Sequence, residues 1–574
     1  MSNKPLYNAK VRQIRDLKDM VSQSAELFGN KAAYQVKQSN GQYKQITFTE
    51  YKKDIDALGT ALIDLGLKGS FIAVLGENRY EWCVSYLSVV NGTGVVVPLD
   101  KELPLAELEN LLVRSNAKAI LFSGKYAKEI KAISATLSSV KYFINMDLEQ
   151  DENNMLSYKK LLKRGRELLA SGDRSFVDAE INPDVMSVLI FTSGTTDLAK
   201  GVMLSHKNIC SNVMAVTSAL YIDSNDSALS ILPLHHTYEC TAGFLVMVYN
   251  GCALSFNEGL KHISKNLKET SPTMLMLVPL ILESMYRKIW DQAGKKRGGK
   301  LKLKAALAIS NFLLNIFNID IRRKLFKAVH DSIGGKIRLI IAGAAALDPE
   351  VAKGLRAFGV NVLQGYGLSE FSPIVTVNRD EFYRNDSIGL PLPGVLVKIV
   401  DPDSDGVGEI VVKGDSVMLG YFENQLATEK VLKDGWLYTG DLGIMDESGF
   451  YRITGRKKNV IVTKNGKNIF PEEVETYLNK SEFILESLVS GSMDENSGET
   501  LVSAQIVPDF DAIKQKLKVD SIPPEELKAI ISAEVKMINK YMPLYKHVRH
   551  FTIREEEFAK TTTKKIKRHT QKTG

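Results

Sequence analysis

Cysteine is scarce in this chain: four in 574 residues, at positions 83, 210, 240 and 252, with no Cys-x-x-Cys pair among them. Such scatter supports neither a zinc site nor a disulfide framework, and a reducing cytosol is the expected setting. Long hydrophobic runs are missing as well. The longest, such as "TMLMLVPLIL" at 273–282, fall well short of the ~20 residues that span a bilayer, and read as buried strand or core helix. The opening "MSNKPLYNAKVRQIRDLKDM" is polar and lacks the apolar centre of a signal peptide, so a cytoplasmic protein is expected. Charge of one sign is modest overall, at +7, but uneven. Residues 287–327 hold twelve Lys or Arg against two Asp, a local excess of ten, which leaves the remainder net negative. No base-reading motif accompanies that charge, so no nucleic acid partner is expected.

What is present is the material of an enzyme of two or three domains: 44% hydrophobic and 25% charged residues in a chain too long for one ordinary domain. Continuous apolar runs recur between longer helical patterns: "FIAVLG" (71–76), "GVVVPL" (94–99), "AILFS" (119–123), "SVLIFTS" (187–193), "LSILPL" (229–234) and "IRLIIAG" (337–343). Runs of this length predict parallel strands buried on both faces, hence an α/β class. From about 388 the texture turns to short strands with Gly and Pro turns, which predicts an antiparallel, β-barrel-like subdomain. A hairpin pattern then leads into "PEEVETYLNK", where Pro471 suits the first helical position and Glu472 and Glu473 the positive helix end. The expected division is a large domain over 1–456 and a small α/β domain over 457–574.

Five segments carry the chemistry. In "FTSGTTDLAKGV" (191–202), hydroxyls and free amides follow a predicted strand, with Lys200 supplying charge, an arrangement that suits a phosphate cradle. It is not the Gly-x-x-x-x-Gly-Lys-Ser/Thr loop, and alone such a stretch is more often a plain turn. "QGYGLSE" (364–370) sets an aromatic ring, two glycines and a carboxylate together; Tyr366 suits a base, and Glu370 a Mg²⁺ ion, which takes oxygen ligands alongside phosphates. "DGWLYTGDLG" (434–443) places Asp441 where it could accept ribose hydroxyls. "GRKKNVIVTKNGKNIFPEEVE" (455–475) and "KTTTKKIKR" (560–568) complete the series.

In this order and spacing the five resemble the adenylate-forming superfamily, from about residue 25 to the C-terminus. "LPLHHTYE" (232–239), "IAGAAALDPEV" and "QGYGLSE" are most similar to long-chain fatty acyl-CoA synthetases. The resemblance implies an ATP-dependent fatty acid:CoA ligase using ATP, Mg²⁺ and CoA. It implies a phosphate loop of Ser193, Gly194, Thr195, Thr196 and Lys200, with Thr196 and Glu370 as magnesium ligands. Gly343, Gln364, Tyr366, Gly367 and Ser369 would surround the nucleotide; Ser369 stands where the family usually has Thr. Asp441 and Arg456 would reach the ribose, Lys458 would be the hinge, and Gly466 would flank the pantetheine tunnel. Lys565 would catalyse adenylation, and His236, rather than His235, would lie near the acyl carboxylate in a structural or a catalytic capacity.

Three positions depart from the family pattern. Asp197 replaces Gly and Ala199 replaces Pro in the phosphate loop, and Lys564 stands where Gly commonly precedes the catalytic lysine. A carrier-protein acceptor, an enzyme that stops at the acyl-adenylate, an amino acid substrate, or a non-catalytic lipid- or nucleotide-binding relative are the alternatives. The last should have lost Lys565, Glu370 or Asp441, and all three are present. In "AALAISNFLLNIFNIDIRRKLF" (305–326), Asn311, Asn315, Asn318 and Arg322 fall on one helical stripe. Either an interfacial helix on anionic lipid, placing residues 287–327 at the inner face of a membrane, or a core helix with solvated basic ends fits that pattern.

Overall fold

A computed structural model describes residues 11–192, 199–462, 468–493, 500–561 and 566–568. The chain divides into two compact units: Met1–Leu396 with Lys413–Leu437, and Val397–Val412 with Tyr438–Gly574.

In the first unit the apolar runs form two large sheets. One has eight strands, ordered Gly420–Tyr421, Lys200–Ser205, Met186–Thr192, Gly94–Leu99, Ser70–Leu75, Ala119–Phe122, Tyr142–Asn145 and Met155–Ser157. From Met186–Thr192 through to Met155–Ser157 the neighbours are parallel. Helices that cross over between parallel strands cover both faces, which is why Ile72, Val74, Val96 and Leu121 are all fully buried. The second sheet has nine strands, and its parallel centre runs through Ala253–Phe256, Ser227–Ser230, Met274–Leu277, Leu339–Ala342 and Asn361–Gly367. "LSILPL" is strand only at its start, since Ser227–Ser230 ends before Pro233. "TMLMLVPLIL" is both things expected of it: the strand Met274–Leu277 gives way to the helix Pro279–Gly294, with Pro at the first position.

The 305–326 segment differs from its sequence reading. Its helix runs over Gly299–Phe317 and stops at Asn318, which is left-handed at φ 53°. Arg322 begins a separate short helix, Arg322–Leu325, so the four-residue polar stripe is not continuous. The core-helix alternative is overturned: of the nineteen residues in Gly299–Phe317, Ser310 is the one that is buried.

The N-terminal helix Leu17–Phe28 is pinned to the first unit by His206. Its Nδ1 accepts from the Leu17 amide at 3.1 Å and its Nε2 donates to the Val90 carbonyl at 3.0 Å. Burial holds the ring neutral, with a pKa lowered to about 4. Arg12 donates to the Tyr249 carbonyl, and the Tyr249 hydroxyl donates back to the Arg12 carbonyl.

The second unit contains two sheets and a short hairpin. Leu396–Val400, Gly408–Lys413, Trp436–Met445 and Tyr451–Arg456 share one five-stranded sheet with Leu432–Lys433, in the region of short strands read from 388 onward. Ile461–Val462 pairs antiparallel with Asn468–Ile469. Ile484–Met493, Thr500–Pro508 and Val548–Ile553 form a three-stranded sheet packed by Pro471–Leu478 and Pro524–Asn539 around Val474, Ile506 and Ile531. Pro471 stands at the first helical position, as its sequence context predicts.

Candidate functional site

The strands Met186–Thr192 and Lys200–Ser205 are antiparallel, with Thr192 opposite Lys200. Their connection holds Ser193, Gly194, Thr195, Thr196 and Asp197, all outside the described residues. At its far end Ala199 packs against the apolar cluster that includes Val97 and Leu189. The Lys200 ammonium lies 4.7 Å from the centroid of the Tyr421 ring. Tyr421 sits on the adjacent edge strand, opposite Val202, and its hydroxyl donates to Glu370 Oε1 at 2.9 Å. One tyrosine thus joins the cation expected at phosphate to the carboxylate expected at magnesium, through its ring on one side and its hydroxyl on the other.

Glu370 lies in a single helical turn, Ser369–Phe371, and its carbonyl accepts from the Met418 amide at 2.9 Å. Asn212, fully buried, fixes the chain just beyond: its amide donates to the Ile374 carbonyl and its carbonyl accepts from the Ile374 amide. Ser369 and Thr237 hydroxyls are 3.2 Å apart, which joins "QGYGLSE" to "LPLHHTYE". Gly367 is demanded by packing, since a Cβ there would sit 2.1 Å from the Pro373 carbonyl oxygen. Tyr366 is buried in the preceding strand, opposite Thr376. The buried Gln364 carries a side-chain oxygen with no hydrogen-bond partner among the described residues, an acceptor that a nucleobase amino group would satisfy. Gly343 faces Tyr238, whose ring carbon is 3.0 Å from where a Cβ would be. An oxygen donor at Glu370, a cation at Lys200 and an unmet acceptor at Gln364 fit a magnesium nucleotide.

In "LPLHHTYE", His236 is half-buried with its ring 5.2 Å from that of His235, and His235 Nε2 lies 3.6 Å from Asp100 Oδ2. Glu239 is enclosed. Its Oε1 accepts from the Ser230 hydroxyl at 2.6 Å, its Oε2 has no partner among the described residues, and burial pushes its pKa up to about 8. Ser230 is held in turn by Asn78, whose amide donates to the Ser230 hydroxyl and to the Leu232 carbonyl.

The second unit holds the remaining site residues. Asp441 and Arg456 are directly opposite on paired strands, with Arg456 Nε 2.6 Å from Asp441 Oδ1. The Asp441 amide donates to the Thr439 hydroxyl, which itself donates to the Ile410 carbonyl. Lys458 follows in the turn Lys457–Asn459, where burial and the neighbouring Arg456 and Arg568 lower its pKa to about 8. Its neighbour Lys457 is tied to Glu409 at 2.8 Å. Gly466 and Lys565, like Lys564, lie outside the described residues. On either side of Lys565, Lys560 bridges to Ile566, and Arg568 donates to the Val489 carbonyl and to Glu475 Oε1. Glu475 is so deeply buried that its pKa rises to about 7 despite the arginine.

Thr237, Tyr421 and Asn212 were not singled out by sequence. Thr237 lies inside a quoted motif and could have been taken with it, whereas Tyr421 and Asn212 stand in segments without a distinctive local pattern.

A fold of two parallel-centred sheets with a separate smaller α/β unit is that of adenylate-forming enzymes. The family described as AMP-binding enzyme matches residues 21–422, and the chain belongs to it. It is 30% identical over 509 residues to long-chain-fatty-acid–CoA ligase 5 of Rattus norvegicus, covering 83% of this chain and 72% of that one. Against the long-chain-fatty-acid–CoA ligase FadD15 of Mycobacterium bovis it is 27% identical over 561 residues, covering 92% and 90%. Among solved structures, O-succinylbenzoate coenzyme A synthetase from Bacillus subtilis, in complex with ATP and magnesium ion, superposes with a TM-score of 0.72 at 22% identity, covering 96% and 98%. The class is therefore an AMP-forming ligase.

Proposed function

We propose that the protein is an ATP-dependent fatty acid:CoA ligase acting on long-chain acids, with the site residues in the roles that the family resemblance gives them. The observation that carries this reading is the chain from Lys200 through Tyr421 to Glu370, closed by Thr237 and Ser369. It brings the acyl-side motif and the nucleotide-side motif into one cluster. A fatty acid is already ionised at neutral pH, with a pKa near ~4, so the first step needs positioning and charge neutralisation rather than a base. The carboxylate oxygen forms a bond to the α-phosphorus of ATP while the bond to the pyrophosphate oxygen breaks. Lys200 and the hydroxyls of Ser193, Thr195 and Thr196 hold the phosphates, and Lys565 meets the charge that develops there. Glu370 and Thr196 would hold a magnesium ion, which would supply Lewis-acid neutralisation at the phosphates. In the second step the CoA thiolate attacks the acyl carbonyl carbon and AMP leaves.

The small domain from 457 onward is the mobile part of this proposal: rotation about Lys458 exchanges Lys565 for Gly466 at the acyl-adenylate. A substrate that partitions into lipid also gives contact with a membrane, through residues 287–327 at its cytoplasmic face, a purpose. Pyrophosphate release by purified protein with Mg·ATP and fatty acids of graded chain length, with and without CoA, tests the reading. Turnover that needs both a long-chain acid and CoA is expected. Release of a single equivalent that CoA does not accelerate would instead indicate a carrier-protein acceptor, and no release with any acid would overturn the assignment.

A further inference from the structure

The helix Gly299–Phe317 presents its apolar side outward. Leu301, Ile309, Phe312 and Ile316 are 74%, 57%, 58% and 64% exposed, against a helix body whose single buried residue is Ser310. Their spacing of eight, three and four residues puts them on one stripe less than 100° wide at 100° per residue. Ala305 and Ala308, also exposed, fill the stripe between them. A soluble monomer gains nothing by wetting such a ridge, which marks a surface with a partner.

Charge identifies the partner. Lys302 and Lys304 are exposed and flank the stripe on its two sides, and Lys295, Lys296, Arg297 and Lys300 precede it. Arg323, Lys324 and Lys327 are exposed just beyond its end. Between Asp291 and Asp320 the chain has no acidic residue. An apolar ridge bordered by long cationic side chains is complementary to the boundary between acyl chains and anionic headgroups. The ridge enters the hydrocarbon edge and the lysines reach back to phosphate. No helix among the described residues is long and apolar enough to cross a membrane, so this contact is made lying flat.

We infer that the outward face of Gly299–Phe317 is a docking site for anionic phospholipid bilayers, with the helix parallel to the surface. The inference rests on the proposed membrane contact and specifies the face and the lipid that make it.

Co-sedimentation of the full chain with vesicles tests it. Phosphatidylcholine vesicles containing phosphatidylglycerol should bind the protein; phosphatidylcholine alone should bind it weakly. Phe312→Ser with Ile316→Ser, both at exposed positions, should reduce binding by about tenfold or more through lost apolar burial. Each of Lys300→Gln, Lys302→Gln and Lys304→Gln should reduce binding to anionic vesicles by about fivefold, and salt should reproduce that loss. Circular dichroism, and pyrophosphate release with CoA and a long-chain acid solubilised in detergent micelles, should be unchanged in all of these variants. If the unaltered protein fails to bind either vesicle, membrane contact falls altogether. If it binds and the serine variant binds equally well, contact survives but this face is not its seat. A serine variant that converts a dimer to a monomer, with no vesicle binding by either form, would assign the ridge to a second copy of the chain.

Discussion

Tyr421 acts at two ends: its ring faces the Lys200 ammonium and its hydroxyl orients Glu370. Tyr421→Phe keeps the first contact and removes the second. Since a hydrogen bond to a charged group is worth about 1.5–3 kcal/mol, kcat/KM for ATP should fall by about tenfold or more, and Tyr421→Ala should fall further. Glu239 makes a prediction about pH. Folded, it keeps its proton until about pH 8; unfolded, it ionises near ~4.3. Between those values only the folded chain holds the proton. Its contribution is therefore complete below the lower value and is lost as pH rises toward about 8, at a slope of up to about 1.4 kcal/mol per pH unit. Glu239→Gln should flatten the fall of Tm over that window, and an unchanged Tm profile would contradict a protonated Glu239. At this scale the sequence singles out residues that lie in a compact motif, as Glu370, Tyr366 and Asp441 do, and their roles belong to the proposed function. Tyr421 is not singled out, because its role comes from an edge strand 51 residues beyond Glu370, and separation of that kind leaves no local periodicity.

At the scale of elements, the strand Asn361–Gly367 and the turn after it are shaped by one close approach. Gly367→Ala puts a carbon 2.1 Å from the Pro373 carbonyl oxygen, so the strand and the Glu370 turn must separate. We expect a loss of about 2 kcal/mol or more, read as a lower denaturation midpoint, together with weaker ATP binding in calorimetry. The buried strands were legible because burial on both faces forces continuous Val, Ile and Leu, as in "FIAVL" and "GVVVPL". The Gly299–Phe317 helix was only half legible. Its asparagines suggested a polar face, but which face turns outward is decided by the neighbours it packs on, and composition does not record them. Asn318 ends the helix in a left-handed residue, which cut the stripe before Arg322.

For the molecule as a whole, the proposed reaction divides between two arrangements of one chain. Lys565→Ala should abolish pyrophosphate release while largely sparing thioester formation from supplied acyl-adenylate; equal loss of both would contradict a two-arrangement cycle. The division at 457 was read from a hairpin pattern leading into the helix at Pro471, whereas the compact units interleave, with Val397–Val412 leaving the first unit before Lys413–Leu437 returns to it. Strand pairing between segments distant in sequence defines those units, and the order of residues along the chain does not record such pairing. The seam at the N-terminus has a consequence for biogenesis. Leu17 and Arg12 are held by His206 and Tyr249, partners 189 and 237 residues further along. At about 5–20 residues per second, a ribosome needs roughly ten to fifty seconds to deliver them. Throughout that interval Leu17 and Arg12 lack the bonds that His206 and Tyr249 later make, so the docking of the first helix, Leu17–Phe28, is completed only after Tyr249 has been made.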